Sequence, residues 1–152
     1  MSTNKLSPQT PDASARAASS NIWLAGAVSM AAAVAANLVV RAFLFVLLDL
    51  PGDFPPLMAH SVIIFTLIGT GLGVLAYALV NKYSKNPTRT YLLVAAVALI
   101  LSILPNFALM ANPAAAPFPG GSALAFGVLI IFHIVAALVF IPLLLKLSRA
   151  PM

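Results

Sequence analysis

Five polar side chains in an otherwise apolar chain are the residues that could do chemistry: Asn37, Arg41, His60, Asn106 and His133. Arg41 carries a permanent charge on a planar guanidinium with five N–H donors, a shape suited to an anion or to carbonyl oxygens. The two imidazoles could hold a proton or touch a ligand. The two carboxamides could bond a polar group as donor or acceptor. Other chemistries lack the residues they need. The chain has no Glu and no Cys, and Asp12, Asp49 and Asp53 all lie outside the apolar runs. Paired-carboxylate catalysis, carboxylate proton relays and thiolate nucleophiles are therefore unavailable. His60 and His133 are far apart and have no Cys or carboxylate at ligand spacing, so no metal site and no cofactor are expected. No catalytic residue can be assigned, and the chain is not expected to be an enzyme.

The elements that must position these side chains are four long apolar runs, residues 22–48, 58–80, 90–111 and 122–145. Each is long enough to cross a bilayer, which takes about 20 residues at 1.5 Å per residue. With 62% hydrophobic and 7% charged residues, the chain cannot be a soluble globular domain. The expected fold is all-α, an integral membrane four-helix bundle with short connectors. Residues 1–21 lack the apolar content to order themselves and read as a disordered cytoplasmic tail. Residues 22–147 form the transmembrane domain and 148–152 a second short cytoplasmic tail. The first run is too long for a signal-peptide core and is expected to be retained as a span.

Charge sets the threading. Lys5, Arg16, Lys82, Lys85, Arg89, Lys146 and Arg149 flank the ends that share one side, whereas the first connector holds Asp49 and Asp53 and the third holds no charge. By the positive-inside rule both termini are cytoplasmic and the protein is multi-pass in the inner (plasma) membrane. A net charge of +5 and a pI near 10.1 are met by lipid headgroups beside the span ends, so no nucleic-acid partner is expected.

Helical spacing collects small and polar residues into stripes. Ser29, Ala33, Asn37 and Arg41 share a face of the first span, and Thr66, Gly69, Thr70, Gly73 and Tyr77 a face of the second. Ala95, Ala98, Ser102 and Asn106 share a face of the third, and Phe126, Ile130, His133, Ala137 and Phe140 of the fourth. In lipid, helices associate through close packing and hydrogen bonds, so these stripes should turn inward. Gly69, Gly73 and Ala76 are expected to let a neighbouring helix approach closely. The Gly-rich stretch 69–73 follows no strand and cannot be a phosphate loop. Trp23, Tyr77 and Tyr83 fit interfacial belt positions. Pro105 and Pro142 should kink or locally unwind their helices. Residues 51–56, Pro-Gly-Asp-Phe-Pro-Pro, should turn and then run extended.

With both termini inside, Asn37, Arg41, Asn106 and His133 fall between the midplane and the outer surface, and His60 sits at the outer mouth of the second span. Two readings of Arg41 stand. It snorkels to the outer interface and pairs with Asp49 or Asp53, or it is the anion-orienting charge of an outward-facing polar pocket with Asn37, Asn106 and His133. His133 is most simply a neutral imidazole bonded to Asn37, Asn106 or a backbone carbonyl. His60 is most simply a headgroup-level residue.

The stretch 56–73, PLMAHSVIIFTLIGTGLG, together with Ser102-Ile103-Leu104-Pro105-Asn106 and His133 through Pro142, resembles a family of small bacterial four-span membrane proteins classed as a domain of unknown function. The resemblance covers roughly residues 22–147 and implies an integral membrane protein, with no activity or site residue to carry over. The expected role is a structural or accessory subunit in contact with lipid and packing with itself or a larger membrane complex. The alternative is a small transporter or ligand-binding bundle around Arg41, Asn37, Asn106 and His133.

Overall fold

Apolar residues in lipid must satisfy their backbone within the segment, and a helix does this completely. The computed structural model describes residues 19–48, 50 and 52–149. Within them the four runs form α1 (Ser19–Leu48), α2 (Ala59–Tyr83), α3 (Pro87–Ala111) and α4 (Ala123–Leu147), with single 3-10 turns at Pro55–Leu57 and Pro113–Ala115. All four helices are long and apolar enough to cross a membrane, so the fold is an all-α multi-pass bundle. The tail expected over residues 1–18, Asp49, and the last three residues lie outside the described residues. Residues 19–21, also expected in that tail, open α1.

Helices run past the apolar limits wherever a polar flank continues the backbone ladder. α2 continues through Asn81 and Lys82 to Tyr83, and α3 begins with Pro87 at its first position, where the missing N–H costs nothing. Between them the turn is tied by Ser84, whose Oγ bonds Thr90 Oγ1 at 2.8 Å and accepts from the Asn86 N–H at 3.2 Å. Ser122 caps α4 by accepting from the Ala125 N–H at 3.1 Å. Both α3 and α4 remain continuous helix through Pro105 and Pro142, so neither proline unwinds its span.

α1 packs most extensively on α4 and then on α2, α3 packs on α4 and more lightly on α2, and α1 and α3 lie on a diagonal. Two apolar cores result. One, toward the α2–α3 turn, contains Ile22, Ala25, Ala33, Val74, Tyr77, Tyr91, Phe140 and Leu144. The other contains Leu50, Phe54, Leu57, Val62, Ala125, Phe126, Val128 and Phe132. The second core includes the α1–α2 connector. Phe54 and Leu57 are fully buried there, and the Phe54 ring meets Phe126 edge-on at 5.5 Å. The connector turns at Gly52 and Asp53, passes Phe54 extended and closes through the 3-10 turn, folding back over the end of the bundle.

Tyr77 is a correction to the belt expectation. It is fully buried, meets the Tyr91 ring at a tilt of 59° with 4.9 Å between ring centroids, and its hydroxyl meets Ser148 Oγ at 3.2 Å. Ser148, expected in a tail, is buried as well. Trp23 and Tyr83 are exposed, as belt residues must be.

Candidate functional site

Each helix carries polar residues in the band between the two cores. On α1 the band runs from Ala33 to Val40 and includes Asn37; on α2 it runs from Val62 to Val74 and includes Thr66 and Thr70. On α4 it includes His133, between Phe132 and Phe140, and on α3 it includes Ser102 and Asn106. Shared depth does not make them one site, because each side chain finishes its bonding locally.

Asn37 is the exception that crosses helices. It is fully buried, and its Nδ2 donates to Thr66 Oγ1 at 3.0 Å. Among the described residues its Oδ1 has no partner, nor does the buried Ser29 Oγ two turns earlier on the same face. Thr70 donates instead to the Thr66 carbonyl at 2.6 Å, one turn back on its own helix. Asn106 does likewise, with Nδ2 donating to the Ser102 carbonyl at 3.3 Å, beside Pro105, which can give no N–H to the carbonyl of Leu101. His133 Nδ1 lies 2.7 Å from the Leu129 carbonyl, so that nitrogen carries the proton. Of the three partners expected for His133, the backbone carbonyl is the one it takes.

Arg41 is half-buried, and among the described residues it pairs neither with Asp53 nor with Asn37, Asn106 or His133. Nε donates to the Leu57 carbonyl at 2.6 Å, and the guanidinium carbon sits 4.1 Å from the centre of the Phe45 ring. Among the described residues Arg41 forms no ion pair. Asp53 lies instead beside Gly120 on the α3–α4 connector, and pairing with Asp49 falls outside the described residues. The side chain is clamped to the inturned connector rather than loosely extended. His60 is exposed in the first turn of α2, one turn beyond Leu57.

The structure therefore brings Asn37 to Thr66 and Arg41 to the connector, and leaves Asn106 and His133 each bonded to its own helix. Among the shallow hollows on the surface of the described residues, two are lined by none of these side chains. One, about 510 Å³, lies over residues 113–121, and the other, about 390 Å³, runs along Leu93, Val94, Val97, Ala98 and Leu101 of α3.

The packing residues divide in the same way. Gly73 faces inward, where an added Cβ would come within 2.7 Å of the Phe140 ring, and Ala76 packs on the core beside it. Gly69 does not belong with them. It is exposed, and nothing lies within 4 Å of where its Cβ would stand. The inward face of α2 follows Val62, Thr66, Thr70, Val74, Tyr77 and Asn81, a track that leaves Gly69 pointing outward. On α3, Ala98 is likewise exposed. The Phe45 stack was available to sequence reasoning, since Phe45 stands one helical turn after Arg41. The Leu57 carbonyl and the buried Phe54 left no such signal, because only the path of the connector brings them in.

The profile of a family of unknown function (DUF6069) matches residues 13–150, a stretch that contains all four helices. No curated protein and no solved structure matches the chain.

Proposed function

The chain belongs to the family of unknown function (DUF6069), and we propose that this member is a non-catalytic accessory subunit that packs with itself or with a larger membrane complex. The observation that carries the reading is the state of α3. Its only buried residues are Pro87, Tyr91 and Asn106, so between Tyr91 and Asn106 no side chain is buried. The helix is anchored near its ends, and its middle offers an apolar groove lined by Leu93, Val94, Val97, Ala98 and Leu101. A helix of another chain fits such a groove, because close approach beside a small residue is what drives helix association in lipid. The inward Phe54 and Leu57, which close one end of the bundle, also favour a packing role over a conduit.

The proposal includes the location and threading. The membrane is the inner (plasma) membrane, with the α2–α3 turn and both termini cytoplasmic, as the basic residues Lys82, Lys85, Arg89, Lys146 and Arg149 favour.

A second reading rests on the unpartnered Asn37 Oδ1, a buried acceptor that a small donor-bearing ligand could satisfy. It makes the bundle a ligand binder around Asn37 and Arg41, with Asn106 and His133 playing no direct part.

The chain has no cysteine, so a single Val97→Cys variant can be crosslinked in native membranes and purified in mild detergent. A crosslinked adduct, either a dimer or a conjugate with a defined second protein, is the expected result. A monomer that forms no adduct and purifies alone refutes the subunit reading.

A further inference from the structure

We propose that Arg41, the Phe45 ring and the Pro55–Leu57 turn form a binding site for the phosphodiester of a membrane lipid headgroup, at the rim where α1 passes the start of α2. A guanidinium has five N–H donors. One of them, on Nε, is committed to the Leu57 carbonyl at 2.6 Å, and the guanidinium carbon sits over the Phe45 ring, 4.1 Å from its centre. These two contacts hold the guanidinium at two points and so restrict the direction of the fork. The four N–H groups on the two terminal nitrogens have no partner among the described residues, and the residue is only half-buried. An oriented pair of terminal nitrogens matches two oxygens of a phosphate, and an ammonium could not reproduce the arrangement.

Depth selects the ligand. Arg41 follows Trp23, an exposed belt residue, by eighteen residues of one helix, roughly 27 Å at 1.5 Å per residue, close to the hydrocarbon thickness of about 30 Å. The carbonyl that holds Nε belongs to Leu57, just before α2 begins, and the 25 residues of α2 are themselves long enough to cross the hydrocarbon. Both measures put the guanidinium at headgroup level. Phosphodiesters are the anions concentrated there. On the hydrocarbon side of Arg41, the exposed Val39 of α1 and Ile64 and Phe65 of α2 provide apolar surface along which acyl chains lie. His60, exposed in the first turn of α2, adds a second polar group at the same level. The site does not depend on the subunit reading, since it lies on α1 and the connector, away from the α3 groove.

The test is lipid retention by native mass spectrometry of the full chain in neutral detergent, titrated with phosphatidylglycerol. The expected result is one retained lipid on the unaltered protein, with affinity lowered about tenfold in Arg41→Gln and in Arg41→Lys, the scale of a charge-assisted bidentate contact. Phe45→Leu keeps the charge but frees the fork, and it should also lower affinity. Should the Arg41 variants fail to fold, Phe45→Leu and two competitions on the unaltered protein still decide the matter. Diacylglycerol with the same chains should not be retained, and inorganic phosphate at equal concentration should not displace the lipid. Equal retention by Arg41→Gln, or by diacylglycerol, overturns the site. Displacement by inorganic phosphate overturns its assignment to lipid.

Discussion

Asn37 donates from Nδ2 to Thr66 Oγ1 at 3.0 Å across the α1–α2 seam, while its own buried Oδ1 has no partner among the described residues. One side chain thus both ties two helices and carries an unmet acceptor. In a membrane bundle the bond is worth about 0.6 kcal/mol, and an orphaned buried acceptor offsets about that much or more. Asn37→Leu removes the orphaned Oδ1 but leaves Thr66 Oγ1 without this donor, so the two changes offset and stability should change by less than about 1 kcal/mol. Asn37→Asp keeps the shape but replaces the donor with a second acceptor, and it should destabilise clearly. Thermal unfolding in detergent checks both, and a large loss in the Leu variant would show that Oδ1 is satisfied by something the bundle holds.

Two glycines one helical turn apart make opposite predictions. Gly73→Ala drives a methyl to within 2.7 Å of the Phe140 ring and should cost about 1–3 kcal/mol through overpacking. Gly69→Ala meets nothing and should be neutral or stabilising by up to about 1 kcal/mol, from helix propensity alone. Melting temperatures of the two single variants separate them, and equal losses would contradict the outward placement of Gly69.

Phe54 is a connector residue that behaves as core. Its full burial against Phe126 predicts that Phe54→Ala costs about 3 kcal/mol or more, as deletion of a packed aromatic ring does elsewhere. An Asp53→Ala change at the neighbouring exposed position should cost almost nothing. The contrast can be read from unfolding curves of the two variants in one detergent.

Threading is tested with single cysteines at Lys85, in the α2–α3 turn, and at Ala115, in the α3–α4 connector, both exposed positions. A membrane-impermeant maleimide applied to intact cells should label only the second, and permeabilisation should expose the first. Labelling of both in intact cells would refute the cytoplasmic placement of the basic turn.

Much of the architecture was legible because lipid imposes a one-dimensional rule. A run of about 20 apolar residues must be a helix, since nothing else satisfies its backbone there. Four runs, short connectors and a stripe of Ser29, Ala33 and Asn37 followed directly, and that stripe is buried as expected. Periodicity was less reliable for α2, where Gly69 and Gly73 read as one face. The true track through Thr66, Thr70, Val74 and Tyr77 turns Gly69 away. Small residues carry little directional information, because a glycine suits a tight helix contact and an open lipid face equally well.

The chain's order of residues by itself determined the four apolar helices and the relative heights of Asn37, Arg41, Asn106 and His133 along them, since helix rise converts residue number into height. Only the tertiary structure decided their partners. His133 and Asn106 turn to carbonyls one helical turn back, within reach of each side chain whatever the neighbouring helices do. Arg41 meets Leu57, and Phe54 meets Phe126, because the connector folds inward over the end of the bundle. That fold-back depends on the gap between helix ends and on the cavity they leave, quantities set by how four helices pack together and absent from any single stretch of sequence.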